Sequence, residues 1–155
     1  MRTGNEGRVV SFVRAAIDRV TGKPPRVLNV LIVDDEAPVV HFVERVVQRA
    51  GHATMTACSG AEALAAAASA ESIDLLITDL MMPQMNGDEL ARRLLTLRPT
   101  LKVLYLTGFS EQLFKDKVAL WQDEAFLEKP CSVNGLMEAV SLLLFGRVES
   151  PQPAR

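Results

Sequence analysis

The sequence predicts a doubly wound α/β domain, a parallel sheet covered by helices on both faces. Three observations predict it. Five short apolar runs alternate with helix-patterned segments, the connections between them are only a few residues long, and the apolar runs end abruptly in polar residues, as buried parallel strands do where they reach solvent.

The first strand lies in RVLNVLIVDDE at 26–36, a β-branched run closed by Asp34, Asp35 and Glu36. Behind Pro38, which suits an early helical position, Val39, Val40, Val43, Val46 and Val47 recur at helical spacing, and Gly51 ends the segment. HATMTAC at 52–58 is the second strand. Gly60 to Ser69 is an alanine-rich helix, and its run at 65–68 follows from helix propensity alone. The third strand runs from Ile73 to Thr78 and ends at Asp79, after which Pro83 and the Asn86-Gly87 pair make LMMPQMNGDEL a loop. A helix at 88–97 stops before Pro99, and the strand KVLYL at 102–106 ends in Thr107-Gly108. EQLFKDKVALW predicts the next helix and AFLE at 125–128 the fifth strand. Ser132, just after Lys129-Pro130, is placed to cap a final helix carrying Leu136, Val140, Leu143 and Leu144. Ahead of this pattern, VVSFVRAAIDRV at 9–20 sets Val9, Val13, Ala16 and Val20 on one stripe, with Phe12 and Ile17 beside it, and predicts an extra N-terminal helix before the break TGKPPR.

With 155 residues, 48% hydrophobic and 23% charged, the chain fits one ordinary domain and leaves no room for a multidomain enzyme. Three parts follow: a leader at 1–26, a body at 27–146 and a short proline-bearing tail at 147–155. The leader carries six basic side chains against two acidic ones, so it holds a surplus of four positive charges and the remaining residues, 27–155, hold −6, for a net of −2. An acidic body repels nucleic acid, and no DNA-binding helix pair is present. No apolar run approaches the roughly 18 residues that span a bilayer, and MRTGNEGR is too polar for a signal peptide, so the reading is a cytoplasmic protein without a membrane span. Cys58 and Cys131 are too few for a disulfide framework and lack metal-ligand spacing; a helix starting right after Cys131 predicts a somewhat lowered thiol pKa there. His41 and His52 read as surface or packing residues.

In open α/β sheets ligands bind at the carboxyl ends of the strands. The polar residues at those ends are Asp34, Asp35 and Glu36 on the first strand, Asp79 on the third, Thr107 on the fourth and Lys129 on the fifth. If strands one and three are neighbours, aspartates from both enter one crevice. Three carboxylates so close repel one another and raise their pKa values unless a cation sits among them. Magnesium suits that need, since it takes oxygen ligands, keeps several waters and shares its sphere with phosphate. A lysine and a hydroxyl nearby supply a charge and a donor for the other phosphoryl oxygens. Taken singly, each residue has a structural alternative: helix capping for Asp34 and Asp35, loop formation for Asp79, a turn for Thr107, a solvated charge for Lys129. Their joint occurrence at adjacent strand ends is what points to a site.

These residues resemble the receiver domain of two-component response regulators over about 28–145. The resemblance rests on Asp34-Asp35, the DLMMPQMNG segment around Asp79, Thr107-Gly108 and Lys129-Pro130, in that order. It implies a flavodoxin-like sheet of strand order 2-1-3-4-5 with five helices. It also implies that Asp79 is the phosphoacceptor, that Asp34, Asp35, Asp79 and the Met81 backbone carbonyl hold Mg2+, that Thr107 binds the phosphoryl group and that Lys129 pairs with it. Phe126 takes the place of the family's switch aromatic, often a tyrosine. The Lys129-Pro130 bond is expected to be cis. Implied partners are a sensor histidine kinase or a histidine phosphotransfer protein as donor, and an output protein of unknown identity. A magnesium-dependent phosphohydrolase passing through an aspartyl phosphate is the alternative from another class; the chain lacks a cap domain and a second acid spaced for proton transfer. A scaffold that no longer takes phosphate is a third reading, opposed by the filled acidic, hydroxyl and lysine positions.

Two positions that are often polar in relatives losing phosphate quickly, Met81 and Phe109, are apolar here, and neither can orient an attacking water; the expectation is a long-lived aspartyl phosphate. With no output segment after the last helix, the chain reads as a stand-alone receiver that works by docking, or as the terminal receiver of a hybrid kinase, and Met1 favours the first. The leader helix is expected to pack on its own domain, to mediate self-association such as a homodimer or partner docking, or to lie on an anionic membrane surface.

Overall fold

The computed structural model describes residues 26–108 and 124–145. In chain order these form β1 (Asn29–Val33), α1 (Ala37–Arg49), β2 (Ala53–Ala57), α2 (Gly60–Ser69), β3 (Leu75–Asp79), α3 (Gly87–Leu97), β4 (Lys102–Thr107), β5 (Glu124–Glu128) and α4 (Val133–Phe145). The five strands make one sheet in the order β2-β1-β3-β4-β5, parallel throughout. The expected order is therefore the observed one. Among the described residues there are four helices. The expected helix over EQLFKDKVALW, Phe109, the leader helix at 9–20 and the tail lie outside the described residues.

The strands are apolar on both sides because both sides are covered. Successive side chains of a strand point to opposite faces. On one face Leu31, Val33, Leu76, Val103 and Tyr105 pack with Ala63 and Ala67 of α2 and Leu90 and Leu94 of α3. On the other, Val30, Ile32, Leu75, Ile77, Leu104 and Leu106 meet Val40, Val43 and Val47 of α1 and Leu136, Met137 and Val140 of α4. Each fully buried Leu, Ile or Val contributes roughly 1.5–3 kcal/mol by leaving water, so these two layers are the main stabilising force. Edge strand β2 is only partly covered and is correspondingly more polar, with Thr54 and Thr56.

Local chemistry sets the element ends. Pro38 stands in the first turn of α1, and Gly51 after it takes a φ of 92°, a left-handed conformation that glycine adopts without steric cost. Ser59 caps α2 by accepting from the Glu62 N–H, while the Glu62 carboxylate accepts from the Cys58 N–H at 2.8 Å, one residue ahead of the N-cap, in a variant of the capping box. Ser132 caps α4 through the Gly135 N–H at 3.0 Å, as its sequence position predicts. Asn86 and Gly87 end the loop after β3 rather than lying within it: Asn86 is the α3 N-cap residue and Gly87 the first helical one.

The topology then creates a crevice. Since β2 lies on one side of β1 and β3 on the other, the connections leaving β1 and β3 diverge at their carboxyl ends, which is where a doubly wound sheet opens toward solvent. Among the described residues, no helix is long and apolar enough to cross a membrane.

Candidate functional site

Asp34 follows β1 directly and is buried, whereas Asp35 beside it is exposed. One Asp34 oxygen, Oδ1, accepts from the Glu36 N–H at 2.8 Å and so fixes the turn into α1, whose own N-cap residue, Glu36, makes no side-chain capping bond. The other, Oδ2, accepts from Lys129 Nζ at 2.7 Å. Asp34 thus holds the turn before α1 and faces the crevice at once, and its turn-forming bond does not compete with a role in the site.

Asp79 ends β3, pairs in register with Leu106 of β4 and is 7% exposed. Its Oδ2 lies 3.5 Å from Lys129 Nζ. Carboxylate oxygens of Asp34, Asp35 and Asp79 fall within 4.8 Å of one another, a set of hard oxygen donors whose spacing fits a small divalent cation. Burial, and next the Asp34 charge, push the Asp79 carboxyl from 3.8 up to about 6, with Lys129 and a hydrogen bond from the Met81 backbone opposing and Asp35 adding to the rise. At Asp79 the repulsion from Asp34 and Asp35 that the sequence predicts is one cause of the rise, and loss of water is the larger one. Burial alone would lower the Lys129 pKa; its hydrogen bond to Asp34 and the charges of Asp34, Asp79 and Glu36 more than offset that and hold the ammonium above its ordinary value.

Lys129 reaches the crevice from the end of β5 across a cis Lys129-Pro130 bond, as the resemblance implies, and its N–H donates to the Thr107 carbonyl at 2.9 Å. Thr107 is fully buried at the end of β4. The structure thus brings Asp34, Asp35, Asp79 and Lys129 together and sets Thr107 at the adjoining strand end. Met81 stands at the rim, 44% exposed. Phe126 pairs in register with Tyr105 and is half-buried against the cluster beneath α2 and α3. The Tyr105 hydroxyl donates to Glu124 Oε1 at 3.2 Å, tying β4 to the start of β5.

A family model for the response regulator receiver domain matches residues 30–141. The chain belongs to the response regulator receiver domain family. It is 30% identical over 116 residues to the response regulator receiver protein CpdR of Brucella abortus, covering 75% of this chain and 96% of that protein. It is also 32% identical over 117 residues to the sensor kinase CckA of the same organism; that match covers 75% of this chain but only 12% of the kinase. The fold resembles the crystal structure of a response regulator receiver protein from Sinorhizobium medicae, with a TM-score of 0.68, 29% identity, and coverage of 77% of this chain and 95% of that one.

One expectation about this receiver is corrected. The Cys131 thiol pKa is raised, not lowered, because Cys131 is half-buried against the apolar layer of α1 and α4, and this outweighs the pull of Lys129. His41 is exposed, and His52 Nδ1 accepts from the Leu28 N–H at 3.2 Å at the opposite end of the sheet, a surface and a packing residue as their sequence context predicts. That reading passed over two residues that touch Asp79. The hydroxyl of Thr78 donates to the Asp79 carbonyl at 2.9 Å, and Gly87 lies flat against the same carbonyl. A lone hydroxyl in the aliphatic run LLITD was the available signal.

Proposed function

We propose that this receiver is a phosphoacceptor switch of a two-component phosphorelay, acting in the cytoplasm through altered docking on a partner protein. The observation that supports it most is the placement of Lys129 Nζ, 2.7 Å from Asp34 and 3.5 Å from Asp79, beside three carboxylates at one sheet edge. Asp79 is the acceptor. One of its oxygens attacks the phosphorus of a phosphohistidine on a sensor histidine kinase or phosphotransfer protein; the P–O bond forms, the P–N bond breaks, and the departing imidazole nitrogen is left to take up a proton. A carboxylate is a weak nucleophile, so the step depends on charge neutralisation and in-line positioning more than on proton transfer.

Asp34, Asp35, Asp79 and the Met81 carbonyl are the residues that would hold Mg2+. When bound, the ion offsets carboxylate and phosphoryl charge. Lys129 supplies the second positive charge and, at a sheet edge, a fixed one. Thr107 contributes a hydroxyl to the phosphoryl oxygens. Drawing Thr107 toward the modified Asp79 opens space next to β5, and Phe126 follows it; lacking a hydroxyl, Phe126 has inward and outward states that differ chiefly in buried apolar area.

The likeness to part of the sensor kinase CckA favours a second placement of the same chemistry, the terminal receiver of a hybrid kinase. Both placements predict one result. Incubated with Mg2+ and acetyl phosphate, the protein gains the mass of one phosphoryl group, and EDTA abolishes the gain. No gain at any Mg2+ concentration contradicts the proposal.

A further inference from the structure

We infer that Thr78 and Gly87 are positioning residues for Asp79: together they clamp its peptide so that the carboxylate is held at one angle to Asp34 and Lys129. This rests on the reading of Asp79 as phosphoacceptor.

Thr78 is fully buried in a strand whose other interior members are Leu75, Leu76 and Ile77. Valine has nearly the same shape and no polar group to desolvate, so a threonine there carries a cost unless its hydroxyl is used. It is used on the acceptor's own backbone, donating to the Asp79 carbonyl at 2.9 Å. At that point the strand ladder is running out: the next N–H, of Leu80, reaches the Leu106 carbonyl at 3.3 Å.

Gly87 closes the clamp from the helix side. A Cβ built there would sit 2.0 Å from the Asp79 carbonyl oxygen, well inside any real contact, and a tight 3.1 Å from Thr78 Cγ2. The need for glycine is thus one of space, the close approach of a helix start to a strand end. The same residue's N–H donates to the Leu80 carbonyl at 2.8 Å, which shuts the loop of residues 80–87 on itself. Within that loop Gln84 takes a φ of 69°, a left-handed conformation that a side chain disfavours and that the surrounding bonds must hold. Asp79 leaves the strand between these fixed points, so turning its peptide moves its carboxylate within the crevice.

The test is the rate of phosphorylation of the full chain by acetyl phosphate at saturating Mg2+, well below the melting temperature, with thermal stability measured alongside. Thr78→Val is expected to slow the rate about tenfold, since small misplacements of a nucleophile cost one to two orders of magnitude. Thr78→Ser is expected to restore it, although serine lacks the Cγ2 methyl and gives up packing that valine keeps. Gly87→Ala is expected to slow it further. A purely structural role predicts lower stability for valine and serine alike with an unchanged rate for the folded protein, and that result overturns the inference. So does a serine variant as slow as the valine one. If wild type takes up no phosphoryl group, the acceptor reading itself fails; if wild type and Thr78→Val are modified equally fast, only the clamp fails.

Discussion

Lys129 and Asp34 form an ion pair across the crevice at 2.7 Å, and Asp79, the proposed acceptor, is the more distant of the two carboxylates beside the lysine at 3.5 Å. The lysine is therefore anchored on an acid that is also proposed to hold the cation. Replacing it should loosen that competition. Lys129→Gln is expected to bind Mg2+ about fivefold more tightly, as removing one nearby charge in a solvent-facing site is worth about 1 kcal/mol, while its phosphorylation slows sharply. Calorimetric titration with Mg2+ reads the first effect, and weaker binding in the variant would count against the arrangement.

The Asp79 carboxyl ionises near pH 6 in the fold against 3.8 in an unfolded chain. Between those values the folded state holds the extra proton, so stability falls as pH rises through the window and the loss is complete above it. In metal-free protein, Asp79→Asn is accordingly expected to be more stable than wild type by roughly 1–2 kcal/mol near neutral pH, after discounting for solvent screening, with no advantage below about pH 4. Urea unfolding in EDTA at both pH values checks the sign. An advantage that grows on acidification would refute it.

Removing Arg98 tests how the sheet's outer layer is held. Arg98 donates to the Ala67, Ala70 and Glu71 carbonyls at 3.0, 2.7 and 3.4 Å, so one guanidinium at the end of α3 satisfies the open carbonyls at the end of α2. Arg98→Ala is expected to cost about 2 kcal/mol, and Arg98→Lys to recover only part, since an ammonium lacks the planar fork. A melting temperature unchanged in Arg98→Ala would show that these contacts contribute little.

Met81 stands at the rim of the crevice where a polar side chain could orient water against a phosphorylated Asp79. Met81→Asn is expected to shorten the lifetime of the phosphorylated protein about tenfold, the lower range of what one well-placed polar group contributes. Loss of the phosphoryl mass over time at fixed Mg2+ measures this, and an equal or longer lifetime in the variant would contradict it.

Much of this was legible from residue order because two independent signals coincide. The apolar runs give the strands, and the residues just past them, Asp34, Asp79, Thr107 and Lys129, give the candidate site, since a parallel sheet delivers all its carboxyl ends to one edge. Three things were not legible. The sign of the Cys131 shift depends on how much apolar surface closes over it, which helix placement alone does not reveal. The dual use of Asp34 needed the direction of each oxygen. The approach of Gly87 to Asp79 joins residues separated by a loop, and the sequence marks only that the loop ends there.

The central claim is that Asp79, and neither of the acids beside it, accepts the phosphoryl group. Borohydride reduces an aspartyl phosphate to homoserine, so treating the phosphorylated protein and mapping peptides by tandem mass spectrometry locates the acceptor. Homoserine at position 79, with Asp34 and Asp35 intact, is the predicted result; homoserine at 34 or 35, or none despite a phosphoryl mass gain, would contradict the account.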